Sequence, residues 1–227
     1  MMNKIDIGIK KIFLDSDISY LNIDKKIDLE IIVNKNVEKK LVIVGTNDYI
    51  LNIKLMENSK LTVNSINKNN SVNINIELNN NSSIVYNHST LAECDSINNF
   101  NIYHDNNTTS ILNNSGINLS DNKLFFEING KIDKNLSNIN CNQNSKIINY
   151  KNGNSKIIPN LIIDSNDISA NHSAYIGKIN EEEEFYLSSR GIRKEQIRKL
   201  IYKASMIGKM ELHSEEEEFN QIINEWW

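Results

Sequence analysis

Val72-Asn73-Ile74-Asn75-Ile76-Glu77-Leu78 alternates apolar and polar residues without a break. A period of two puts every apolar side chain on one face of an extended strand and every polar one on the other. The pattern spreads outward in both directions. Leu51-Asn52-Ile53-Lys54-Leu55 and Leu61-Thr62-Val63 repeat it, and Leu41-Val42-Ile43-Val44 reads as a strand buried on both faces. Strands of this kind recur roughly every ten residues from about Ile27 to Ile163.

The connections repeat as well. Asn58-Ser59-Lys60-Leu61, Asn144-Ser145-Lys146-Ile147 and Asn154-Ser155-Lys156-Ile157 are near copies, with looser versions at Asn81-Ser82-Ser83-Ile84 and Thr108-Thr109-Ser110-Ile111. Each unit reads as a polar corner followed by a short strand. One such strand cannot bury its apolar face alone, whereas stacked coils share a continuous core. Ile74, Ile76, Ile147 and Leu161 then point inward, and their asparagine neighbours outward. Alternation alone fits a β-solenoid and an antiparallel sandwich equally.

Composition narrows the class. The chain has 227 residues, of which 41 are asparagine, one is proline (Pro159) and eight are glycine. With so few breakers, the turns must be built by Asn, Asp and Ser, which tolerate left-handed backbone and bond their own main chain. The net charge is −4 and no basic cluster is interleaved with aromatics, which argues against nucleic acid as a partner. No apolar run reaches the ~18 residues a membrane span needs. The start shows no secretion signal, and Cys94 and Cys141 make no disulfide framework, so a soluble cytoplasmic protein is expected.

The pattern changes after Lys178. Asn180 precedes Glu181–Glu184 as an N-cap, with Glu183 at the capping-box position, and Gly191 stands where a helix ends. A second helix is expected from Lys194 to about Lys209, with Ile197, Leu200, Ile201, Ala204 and Ile207 as its apolar stripe. Ser214 is placed to cap a third, Glu215 to Trp227, with Phe219, Ile222, Ile223 and Trp226 on one face. The plan is mainly β: residues 1–30 unassigned, a strand body over 31–178 and a small helical region over 179–227. The two Glu runs, 181–184 and 215–218, read as solvated first turns of helices.

Residues 159–192 carry a resemblance to a known family. Pro159-Asn160-Leu161-Ile162-Ile163 supplies a strand, Asp164 to Asp167 an acidic turn, and Ile168 to His172 a short strand ending in histidine. Ala174, Gly177 and Ile179 follow, then Glu184-Phe185-Tyr186-Leu187 and Ser189-Arg190-Gly191-Ile192. This string resembles the C-terminal signature of the SufB/SufD family, the scaffold subunits of SUF iron–sulfur cluster assembly. Upstream, His104, Thr108, Ser110, Gly116, Phe126, Gly130, Lys131 and Ile132 resemble the family's preceding rungs in order and spacing. Ser173 after His172 is closer to the SufD type, where the SufB type has glutamate. The chain is similar to a short form without the family's large N-terminal helical region.

The resemblance implies a β-solenoid core followed by a small helical region that docks on a SufC-type ATPase. Phe185, Tyr186, Leu187, Arg190 and Gly191 would lie at that docking surface, and the second partner would be a SufB-like subunit or a second copy of this chain. It implies no stably bound cofactor, the iron–sulfur cluster being held only transiently. His172 is the candidate iron ligand, since a neutral imidazole nitrogen binds iron. Cys141 is a weaker one: without gaps, the family's cysteine position falls on Asn144. Cys94 reads as a small buried hydrophobe. His88 and His104 read as surface or rung-corner residues, and His213 has no visible partner.

Two other classes compete with a non-enzymatic scaffold. A solenoid enzyme of the lyase type would need paired acids and bases along one face, and an acyltransferase a strict six-residue period. Neither pattern is present, nor is any phosphate loop, dinucleotide fingerprint or nucleophile elbow. A purely structural solenoid such as a surface adhesin is disfavoured by the helical tail.

Overall fold

The structure is a computed structural model that describes residues 3–4, 11–14, 18–150, 152–210, 212 and 216–226. It is a parallel β-solenoid with two sheets. Sheet A holds β1 (Asn3–Lys4), β3 (Ile18–Ile23), β5 (Glu38–Gly45), β7 (Lys60–Lys68), β9 (Ser83–Ala92), β11 (Thr109–Asn118), β13 (Ser137–Asn149) and β15 (Asp167–Gly177) in that order. Sheet B holds β2 (Lys11–Phe13), β4 (Ile27–Val33), β6 (Tyr49–Leu55), β8 (Val72–Leu78), β10 (Ser96–His104), β12 (Lys123–Ile132) and β14 (Asn154–Ile163). Odd and even strands alternate along the chain, so each coil adds one strand to each sheet. Strands β1 to β4 carry the solenoid into the segment before residue 31.

Alternation sets the interior. Along β8, Val72, Ile74, Ile76 and Leu78 are buried between the sheets, and Ile147 joins the same core. Leu161, near the end of the stack, is only partly buried, beside Ile132, Ile139 and Cys141. The outward asparagines stack from coil to coil. On sheet B, Asn52, Asn75, Asn101, Asn129 and Asn160 each donate a side-chain N–H to the residue one coil earlier, the first of them to Asp28. Sheet A has a second ladder through Asn64, Asn87, Asn113 and Asn144.

Asparagine also makes the corners. Every described non-glycine residue with positive φ is asparagine: Asn36, Asn58, Asn69, Asn81, Asn107, Asn135 and Asn138. Its short amide tolerates the left-handed region better than other side chains with a Cβ. Asn58 and Asn81 confirm two of the expected turn copies. Asn144-Ser145-Lys146 is different, because it lies inside β13, where Asn144 belongs to the outer ladder and Ser145 faces inward. The coil lengthens toward the C-terminus: β6 pairs Tyr49 with Val72, 23 residues on, while β12 pairs Lys123 with Asn154, 31 residues on.

A second apolar cluster lies outside the solenoid. Tyr20, Val42, Val44, Ile66, Leu91, Ile117 and Ile148 form an outward patch across three register rows of sheet A. Helices α2 (Lys194–Ile207) and α3 (Glu216–Glu225) lie on it, burying Ile197, Tyr202, Met206, Phe219 and Ile223. The buried face of α2 is rotated from the expected stripe, with Leu200 53% exposed and Ala204 also exposed. Large Tyr202 and Met206 fill the space over the sheet, and two hydroxyls fix the helix end: Ser115 Oγ donates to the Ser205 carbonyl at 2.7 Å and Ser89 Oγ to that of Met206. Phe219, Ile222 and Ile223 of α3, with Trp226 just after it, share the packed face as expected. The proposed Ser214 cap and Glu215 lie outside the described residues.

Candidate functional site

The stack of coils ends on two unpaired edges. Strands β14 and β15 are the terminal members of their sheets, each bonded on one side only. An edge strand presents unpaired backbone donors and acceptors that can template another strand. Pro159 removes one donor from β14, a common edge device, but β15 runs eleven residues without proline. Ile162 and Tyr175 are more than half exposed here, and Ile163 and Ile176 are exposed as well.

His172 sits in the middle of β15. The strand continues five residues past it to Gly177, so the expected strand end at His172 is corrected. Register assigns its direction. His172 pairs with Gln143, which faces the interior, while its neighbours Asn171 and Ser173 bond to Asn142 and Asn144 on the outer side. His172 therefore lies on the lumen side of sheet A. No later coil roofs it among the described residues, and the residue is exposed.

Cys141 and Gln143 close the lumen beneath it. Both are buried, and burial raises the Cys141 thiol pKa, which keeps it neutral. Gly130 on β12 lets the sheets approach, because a Cβ there would stand 3.0 Å from both Cys141 Sγ and Gln143 Nε2. Gln143 Nε2 donates to the Asn160 carbonyl at 3.2 Å. Among the described residues no three His, Cys, Asp or Glu side chains converge in a metal-binding group.

Beside this end stands α1 (Glu181–Ser189). Asn180 caps it by accepting from Glu182 N at 2.9 Å. Its C-terminus closes as a Schellman turn, with Gly191 at φ +83°, Gly191 N bonded to Ser188 O and Ile192 N to Leu187 O. No residue of α1 is buried. Phe185 is 76% and Tyr186 57% exposed, and the Arg190 guanidinium lies 5.4 Å from the Tyr186 ring centroid. Leu187 is half-buried. Glu184–Arg198 at 3.7 Å joins α1 to α2, and Arg198 also donates to Tyr150 Oη, just after β13, at 3.1 Å.

The remaining candidates lie elsewhere. His104 ends β10 at a corner, bonded to Thr108 and Ser110. His88 is not at the surface but in the lumen, amid Ser65, Asn67, Thr90 and Asn98. Burial lowers the pKa of both histidines to about 4. The signal for His88 was its phase, two residues after Tyr86 and four after Ile84 on one alternating strand. Cys94 is exposed rather than buried, in the turn after β9, with Sγ 3.7 Å from the Asn69 carbonyl. His213 lies outside the described residues.

Comparison with known proteins agrees with this arrangement. The family model described as "SUF system FeS cluster assembly, SufBD core domain" matches residues 53–205. The chain belongs to the SufBD family. The match runs from β6 to α2 and so includes His172 and α1. A stretch covering 32% of the chain is 34% identical over 73 residues to the iron–sulfur cluster assembly protein SufD of Bacillus subtilis (strain 168). That stretch spans 17% of the relative's length. The SufBD core here is a parallel solenoid with a helical tail, as the signature implied. No helix among the described residues is long and apolar enough to cross a membrane.

Proposed function

We propose that this SufBD chain is a non-enzymatic subunit of a SUF-type iron–sulfur cluster assembly system. It docks on a SufC-type ATPase through α1 and pairs through its open coil with a SufB-like subunit or a second copy of itself. One observation carries the reading: the family-matched segment contains an unpaired eleven-residue edge strand followed directly by an exposed aromatic helix. Burying these surfaces against partners satisfies the edge and covers Phe185 and Tyr186.

His172 is the assembly ligand in this reading. One imidazole cannot hold a cluster, so the other ligands come from across the paired interface, and the cluster is cargo that leaves. Cys141 stands behind it as a neutral, buried thiol.

Two measurements separate the parts. Tyr186→Ala or Arg190→Ala should weaken co-purification with the cognate ATPase while leaving circular dichroism unchanged, since aromatic and arginine anchors typically carry ~2 kcal/mol or more in interfaces. Undiminished co-purification with both variants would refute docking through α1. His172→Ala should keep ATPase binding yet lower maturation of iron–sulfur enzymes in a strain lacking its SufD-type subunit. Full complementation by that variant, or rescue by His172→Gln, reduces His172 to a hydrogen-bonding residue.

A further inference from the structure

The helices roof only part of sheet A. Where α2 ends, a cleft of about 440 Å³ remains between its last turn and the outer face of β9, β11, β13 and β15. That volume lies within the ~300–1,000 Å³ range of small-molecule sites. The register lays two rows across its floor. Asn87, Asn113 and Asn144 form one, joined by side-chain hydrogen bonds in which Asn113 donates to Asn87 at 2.8 Å and Asn144 to Asn113 at 3.2 Å. Lys146 and Tyr175, Cα partners on β13 and β15, belong to the other.

Charge sets this cleft apart. The chain carries 29 acidic against 25 basic residues. Yet the charged side chains lining the cleft are Lys146 and Lys209, and no carboxylate lines it among the described residues. Neither lysine forms an ion pair with a described residue. The Lys146 ammonium instead stands 5.8 Å from the Tyr175 ring centroid. That ring packs along β15 over Gly177, where a Cβ would come 2.6 Å from Tyr175 Cζ. Each amide of the row has two N–H donors, and the ladder uses one.

We propose that this cleft binds a small phosphorylated molecule bearing a planar ring. The two ammonium groups take the phosphate, Tyr175 offers a face for the ring, and the amide row supplies donors and acceptors for its edge. The cleft lies on the outer face of sheet A, opposite the lumen side that carries His172.

Titration of the full chain with AMP, ribose 5-phosphate and adenosine, followed by calorimetry, tests this. AMP should bind saturably, ribose 5-phosphate more weakly, and adenosine more weakly than AMP. Lys146→Glu with Lys209→Glu should weaken AMP about tenfold or more, because like charges replace the attractive pair. Both lysines are exposed, so the fold should survive, and Lys146→Met with Lys209→Met repeats the test if it does not. Tyr175→Ala should weaken AMP but not ribose 5-phosphate. No saturable AMP binding, or binding indifferent to the lysines, overturns the site. Equal affinity for adenosine overturns the phosphate, and equal affinity for ribose 5-phosphate overturns the ring.

Discussion

His88 and His172 stand on the same side of the same sheet, three strands apart, and share almost nothing else. His88 on β9 is enclosed by sheet B. It stacks edge-on to Phe100 at 5.1 Å and Phe126 at 6.1 Å, and its Nε2 meets Asn98 Oδ1 at 3.1 Å and Thr90 Oγ1 at 2.8 Å. His172 on β15 has the same orientation but no coil above it among the described residues. A lumen position is thus made by the next coil as much as by its own strand. In the middle of the stack, sequence alternation produces structure. At the last coil it leaves an exposed surface, which the proposed pairing would cover.

The largest expected difference between these regions is in packing. Phe126→Ala empties a fully buried lumen position and should cost about 3–5 kcal/mol in urea unfolding. Ile162→Ala on β14, half exposed, should cost under about 1 kcal/mol. Similar losses at both sites would break the distinction between a sealed middle and an open end.

Acid should sharpen it next. The folded His88 pKa is held down to about 4 by burial, against about 6.5 for a free imidazole. As pH falls below 6.5 the unfolded chain takes up a proton that the folded chain refuses. Stability therefore drops until the folded ring titrates near 4. The difference corresponds to about 3 kcal/mol. His104 shifts in the same direction. Unfolding measured at pH 7 and pH 4.5 should show the parent losing more stability than a His88→Gln variant. At pH 7, His172→Gln should change stability by under about 0.5 kcal/mol, as exposed substitutions do. Identical pH slopes for parent and His88→Gln would mean the lumen histidine is solvated.

Much of this was legible in the chain. Period-two alternation specified the inward residues, and the shortage of glycine and proline foretold asparagine corners. Residues 159–192 carried the family. The misses share one cause: they depend on what lies on top of a strand or helix. His88 is in phase with Ile84 and Tyr86, but a polar residue in phase with a core is readable only once its partners Ser65, Asn67 and Asn98 are in place. The α2 stripe drawn through Leu200 and Ala204 and the stripe actually buried both satisfy helical spacing. Only the outward row Leu91, Ile117 and Ile148 on sheet A selects between them. β15 outruns His172 because its pairing with β13 continues to Gly177.

The corners should be indifferent to the contrast. Asn58 lies in the body of the stack and Asn138 at the start of its last coil, with φ of 58° and 55°. Each donates its side-chain N–H to the asparagine one coil earlier, at 3.0 Å in both cases. The cost of left-handed backbone is local and does not depend on whether a lumen is sealed. Ala at either site should therefore cost about 1–2 kcal/mol, the penalty for a Cβ in that region plus a small exposed hydrogen bond. Gly removes the Cβ and should recover most of the loss, leaving the missing amide bond and the added freedom of the unfolded chain. Thermal or urea unfolding of the four variants checks this. Equal Ala penalties at 58 and 138 confine the difference between middle and end to the lumen. A markedly smaller penalty at 138 would show that the last coil relaxes its corners as well, so that the open end is a loosely held coil and not a finished surface awaiting a partner.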